Sequence, residues 1–97
     1  MFVVAASVTL HIPESRNLKA RRRVVKSLIE RVRARFAVSI SETGGQGTWQ
    51  SAIVGIACVS GSVEMAEGVV NQVLAFVDSS STDFEVVDRH VETLSGF

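Results

Sequence analysis

Cysteine, proline and tryptophan each occur once in this 97-residue chain, and tyrosine does not occur at all. The lone cysteine, Cys58, excludes an internal disulfide framework and gives no metal-ligand spacing. It sits inside VGIACVS, where a small buried residue with no activating base nearby is the simplest reading. The lone proline, Pro13, leaves no proline-rich linker to divide the chain. The apolar opening MFVVAASVTLHI is shorter than the roughly 20 residues that cross a bilayer. It also lacks the basic start and small-residue cleavage site of a secretory signal. Missing too are a GxGxxG or Walker loop, a nucleophile elbow, and a Ser-His-Asp arrangement. His11 and His90 have neither a paired cysteine nor an acid at helical spacing to make a metal site. The expectation is one soluble cytoplasmic domain over residues 1–97, non-enzymatic, without metal or cofactor, and with no membrane association.

What is present is charge, unevenly placed. The chain carries ten Lys and Arg against ten Asp and Glu, a formal total of zero. Residues 14–36 hold nine cations against Glu14 and Glu30, a local +7. Residues 37–97 hold only Arg89 against eight acids, a local −7. Local potentials rather than totals steer encounters, so an approaching polyanion meets a strongly basic segment.

The periodicity predicts six elements. Alternation over residues 2–12 reads as a strand, with Val4, Ala6, Val8, Leu10 and Ile12 on one side. PESRN turns the chain, and Asn17, with Ser15 as the alternative, caps a helix over 18–36. Its apolar stripe is Leu18, Val25, Leu28, Ile29, Val32 and Phe36. AVSISE is a second strand, TGGQGT a flexible hairpin, and WQSAIVGIACVS a nearly continuous apolar strand of the kind found in mid-sheet. A helix over 62–77 turns Val63, Ala66, Val70, Val73, Leu74 and Val77 inward. FEVVDRHVETL closes the series as a half-polar edge strand. Strand, helix, strand, strand, helix, strand is the ferredoxin-like βαββαβ arrangement of the α+β class. Its four-stranded antiparallel sheet, in the order 4-1-3-2, has two helices on one face.

The first helix gathers Lys19, Arg22, Arg23, Lys26 and Arg33 on the flank beside its apolar stripe, interrupted only by Glu30. Lys19, Arg21, Arg22 and Arg23 all fall in its first two turns, where the macrodipole disfavours cations. Free N–H groups and cations converging there suit a phosphate. Arg16, Lys19, Arg22, Arg23, Lys26 and Arg33 are therefore the candidate phosphate contacts, read against the ordinary fate of a charge run, a solvated face. A membrane-surface helix fits less well, because the sheet needs a cover. A coiled coil is opposed by Arg21 and Arg35 at the alternating heptad positions. The open sheet face would carry Ala5, Ser7, Thr9, Ala37, Ser39 and Ser41, with no aromatic for base stacking. RNA would thus be read by shape and phosphate through the helix, whereas the smooth face, with Ser7, Thr9 and Ser39, suits a homodimer or protein partner. Acids of the last strand could neutralise the basic helix. Trp49 is either a packing anchor at a strand start or an exposed interface residue, and the area its ring can bury favours packing. The triplet Gly44-Gly45-Gln46 also occurs in the peptidyl-tRNA-hydrolysing loop of release factors, but within a glycine-rich hairpin the plain reading is a turn.

The run LHIPESRNLKARRRVVKSLIERVRARFAVSISE followed by WQSAIVGIACVS resembles the YlxP-like family of small bacterial proteins, whose domain is of unknown function. The resemblance is carried by His11-Ile12-Pro13, Leu18-Lys19, Arg22-Arg23-Val24, Lys26-Ser27-Leu28, Phe36, Val38, Glu42 and Trp49-Gln50. It implies the same ferredoxin-like fold. Genes of the family often lie beside translation-initiation and ribosome-binding factors, which implies an RNA- or ribosome-associated role and no particular activity. The glycine-rich TGGQG departs from the family pattern.

Overall fold

In the computed structural model, which describes residues 1–13, 15–46 and 48–97, the six elements follow the order read from the sequence. They are β1 (Phe2–His11), α1 (Leu18–Arg35), β2 (Ser39–Gly44), β3 (Ser51–Ser60), α2 (Val63–Ser79) and β4 (Glu85–Leu94). Glu14, part of the basic segment's charge count, and Gly47 of the hairpin lie outside the described residues.

All strand pairs are antiparallel, in the order β2-β3-β1-β4, so β1 and β3 occupy the centre. Alternation fixes the two faces. Val4, Ala6, Val8 and Leu10 of β1 are buried, and so are their partners Cys58, Ile56, Val54 and Ala52 of β3. These side chains turn toward the helices. α2 packs on β1 and β3, while α1 packs on β2 and meets α2. Each helix contributes an inward stripe: Val25, Leu28 and Val32 from α1, and Ala66, Val70, Val73, Leu74 and Val77 from α2. This is the α+β ferredoxin-like fold.

Local chemistry sets the helix starts as expected. Asn17 sits in extended backbone, and its side chain accepts from the Ala20 N–H at 2.8 Å. Ser15 is not the cap; it is buried and donates to the Asn17 carbonyl at 3.1 Å. Ser62 caps α2 by accepting from the Met65 N–H. Glu64 lies in the first turn of α2, whereas the first turn of α1 contains no acid. At the far end of α1, Phe36 meets Phe76 edge-on at 5.7 Å, and the Arg35 guanidinium lies over the Phe76 ring.

Leu28 locks α1 to the sheet and is 1% exposed. Leu28→Ala should lower unfolding stability by about 2–4 kcal/mol, the cost of a buried leucine plus its cavity. Urea denaturation measures it. A loss of only a few tenths would mean that the stripe does not carry the docking.

Candidate nucleic-acid interface

The geometry of the basic helix is set by one of its own cations, and not one assigned to a ligand. Arg21 is 1% exposed and faces the core between Val25 and the β2–β3 hairpin. Its Nε donates to the Ser51 carbonyl at 2.7 Å, and its Nη2 donates to the Gly45 carbonyl at 2.8 Å. The same Nη2 forms an ion pair with Glu42, whose side chain points inward from β2. Arg21 therefore leaves the group of first-turn cations expected to converge on a phosphate. A planar guanidinium with fixed donors suits this clamp, which a lysine could not reproduce.

The glycine-rich hairpin is shaped to receive it. Gly45 has φ of 77°, a left-handed conformation that disfavours other residues. A Cβ there would also come within 3.0 Å of the Ala52 backbone. The Gly45 carbonyl accepts from Arg21 and from the Thr48 hydroxyl. One residue earlier the ladder slips: Glu42 pairs with Val54 but Gly44 pairs with Ile53, so Thr43 is extra. Its methyl group presses on Gly55, where a Cβ would lie 2.7 Å away. Gly45 of the GGQ triplet thus belongs to a structural clamp.

With Arg21 fixed, α1 presents the flank expected from the helical spacing. Arg22, Lys26 and Arg33 line a groove of about 330 Å³ between α1 and β2. Val25 and Ile29 are its apolar part, and Glu30, Ser41 and Glu42 complete the walls. Arg33 donates to the Ile40 carbonyl at 2.8 Å, which steadies its guanidinium on the rim. Lys26 stands 3.9 Å from Glu30, an exposed pair one helical turn apart. Arg16, Lys19 and Arg23 are exposed but lie outside the groove lining. Among the described residues, no ion pair joins Arg22 or Arg23 to a carboxylate. The acids of β4 do not neutralise this flank. β4 lies at the sheet edge opposite β2, where Arg89 pairs with Asp78 of α2 and His90 with Glu92. Arg31 and Arg35 face elsewhere, toward the Ser27 carbonyl and the Phe76 ring.

The remaining candidates fall as follows. Ser7 and Thr9 lie on the sheet face away from the helices, Ser7 between Gly55 and His90 and Thr9 between Ile53 and Asp88. Ser39 is exposed opposite Ala57 of β3. Cys58 is buried. His11 ends β1, with Nδ1 3.1 Å from the Gln50 carbonyl, whereas His90 is exposed in the middle of β4 rather than at a strand end. Among the described residues, no group of three or more His, Cys, Asp or Glu is placed to hold a metal, and no helix is long and apolar enough to cross a membrane. Trp49 corrects its assignment to packing: it is 57% exposed, because the strand begins only at Ser51 and the indole stays on the hairpin.

The sequence carries a signal for the structural role of Arg21 that its residue type masks. Positions 18, 21, 25, 28 and 32 form one helical stripe, and Ile40 and Glu42 share one strand face. Two opposite charges on inward positions are the pattern of a buried pair.

Residues 3–91 match the family model described as "Protein of unknown function (DUF503)". The chain belongs to the DUF503 family. It is 47% identical over 86 residues to the uncharacterized protein YlxP of Bacillus subtilis (strain 168), covering 89% of both chains. Among solved structures, the designed protein Foldit4 matches over the full length of both chains, with a TM-score of 0.55 and 19% identity. That likeness concerns the fold alone. A REP-associated tyrosine transposase bound to a REP hairpin matches with a TM-score of 0.46 and 8% identity, over 98% of this chain and 57% of that one. The second likeness is too loose to bear on function.

Breaking the Arg21–Glu42 pair from one side should be costly. Glu42→Ala leaves a buried cation without its counter-charge and is expected to lower stability by about 3 kcal/mol. Arg21→Met combined with Glu42→Leu should recover most of that loss, since an apolar pair needs no neutralisation. Thermal and urea unfolding of the three proteins checks this. Equal losses in the single and double variants would remove the ion pair as the cause.

Proposed function

We propose that this protein is a non-enzymatic module that docks on structured RNA through phosphate groups, with the basic flank of α1 as its contact surface. The observation that carries the reading is the groove between α1 and β2. Three cations, Arg22, Lys26 and Arg33, share it, and the Arg33 fork is held in place by the Ile40 carbonyl. Lys19 and Arg23 extend the positive surface along the same helix, and Arg16 precedes it. Side chains of this kind contact backbone phosphates, which position a partner without reading base sequence. The open sheet face carries small residues and no stacking platform at Ser7, Thr9 or Ser39, so recognition rests on shape and phosphate spacing. The family resemblance makes ribosomal or pre-ribosomal RNA the target class to test first.

The opposing features of the groove are part of the reading. Glu42 is already engaged by Arg21, and Glu30 is the one acid among the described residues of α1. With Glu42 matched by Arg21, the groove lining keeps three cations, Arg22, Lys26 and Arg33, against Glu30.

Affinity for structured RNA should fall steeply with salt and depend little on sequence. For about four neutralised phosphates, the slope of log K against log salt is roughly −3 to −4. Arg22→Gln, Arg23→Gln and Lys26→Gln together should flatten that slope without unfolding the protein, because all three side chains are exposed. Glu64→Gln with Glu67→Gln on α2 is the control and should not weaken binding; Asp78 is spared because it pairs with Arg89. Equal affinity and slope for wild type and the basic triple variant would overturn the proposal.

A further inference from the structure

The two edges of the sheet are not alike. β2 is six residues long, carries the Thr43 bulge, and turns the charged Glu42 inward. Short length, a bulge and an inward charge are the features by which an edge avoids pairing with another strand. β4 has ten residues, pairs only with β1 and contains neither proline nor lysine; its helix-side charge, Arg89, is taken up by Asp78 of α2. Its one irregularity lies near its start, where Thr9 pairs with Asp88 but Leu10 pairs with Val86. From Asp88 to Leu94 the ladder is regular.

The outward backbone groups of this regular stretch can be assigned. Ile12 donates its N–H to the Gln50 carbonyl, on the β3 side, so even-numbered residues of β1 bond toward β3 and odd-numbered ones toward β4. The partners of the odd residues Val3, Ala5, Ser7 and Thr9 are Leu94, Glu92, His90 and Asp88. These four use their backbone groups on β1, which leaves Arg89, Val91 and Thr93 pointing outward. An independent contact agrees: the Arg89 N–H is taken by its neighbour's Asp88 carboxylate at 3.0 Å. Val91 is 44% exposed although its partner in β1, Ala6, is buried, because α2 lies over β1 and β3 and leaves the helix-side surface of β4 largely open.

We infer that β4 is an interaction surface for a second copy of this chain, joined antiparallel about a two-fold axis through Val91. Directly opposed residues share a sheet face, so only registers that pair odd with odd and even with even are allowed. Centring on Arg89 or on Glu92 sets like charges opposite each other, and centring on His90 opposes Asp88 to Glu92. Centring on Val91 sets valine against valine on the helix side, with Arg89 against Thr93. On the other side, His90 of each copy meets Glu92 of its partner. His90 already lies 3.1 Å from Glu92 within one strand, so pairing builds a four-membered His–Glu cluster. The outward groups of Val91, Arg89 and Thr93 become the bonded pairs of the new ladder, once Asp88 releases the Arg89 N–H. One register thus satisfies backbone, charge and apolar matching together. The surface is separate from the α1 flank at the opposite edge.

Cysteine cross-linking reads the register directly. Val91→Cys should give a disulfide-linked dimer under mild oxidation, since opposed Cα atoms lie near 5.5 Å, within disulfide reach. Arg89→Cys and Thr93→Cys should each stay unlinked alone and form a mixed dimer when combined. Wild type is the background control, its Cys58 being buried. Val91→Pro removes an outward donor while sparing the ladder to β1 and should halve the sedimenting mass with the circular dichroism unchanged. A wild type that sediments as monomer at micromolar concentrations, with no Val91→Cys linkage, overturns the inference. So does self-linkage at Thr93, which marks another register, or a dimer that persists in a folded Val91→Pro variant. Should the proline variant not fold, the cysteine pairs decide alone.

Discussion

A single guanidinium, that of Arg21, ties the basic helix to the sheet, and the orientation of the candidate interface depends on it. Its contacts reach Glu42 on β2, Gly45 in the hairpin and Ser51 at the start of β3. A buried cation is costly unless its charge and its donors are satisfied. Satisfying it here constrains three segments at once: β2 must turn Glu42 inward, the hairpin must adopt the left-handed conformation at Gly45, and α1 must enter with its second turn against them. Rotating α1 by a third of a turn would carry Arg21 into solvent and bring Arg22 or Lys26 into the core. The exposed flank is thus fixed as much by the one cation that is hidden as by those on display.

The two helices treat their dipoles oppositely, and this bears on what the molecule attracts. α2 begins with Glu64, adding a negative charge where backbone N–H groups are free. α1 begins with Lys19 and no acid. Its N-terminus, capped by the neutral Asn17, and its cations reinforce each other, whereas the last strand keeps its own ionic contact with α2. The zero formal charge of the chain conceals a dipolar surface, with α1 along one side and the acids of α2 and β4 along the other.

Most of the fold was legible in the sequence because burial here obeys simple periods. Alternation in β1 and β3 and the stripes at 25, 28 and 32 and at 66, 70, 73, 74 and 77 place nearly the whole core, and Asn17 announces the start of α1. The rest was harder for identifiable reasons. Arg21 sits on the apolar stripe, but arginine is so often solvated that spacing alone could not outweigh residue type. Trp49 was assigned to packing on the size of its ring; the bulge at Thr43 and the clamp at Gly45 delay β3 to Ser51 and leave the indole on the outside. On the flank, the helical spacing places Arg22, Lys26 and Arg33 on one side, and they share the groove lining, while the separation of Arg16, Lys19 and Arg23 from the groove depends on how α1 meets β2, which no single-helix projection contains.

The unequal edges also set a limit on growth. A sheet with two open edges is bivalent: each added copy exposes another edge, and the assembly can extend into a fibre. This sheet has one blunted edge, at β2, and one regular edge, at β4. Its valence for strand addition is one, so any pairing at β4 consumes the site that allowed it. The inward carboxylate that neutralises Arg21 therefore has a second effect. By placing a charge on the inner side of β2, it helps blunt that edge against strand addition.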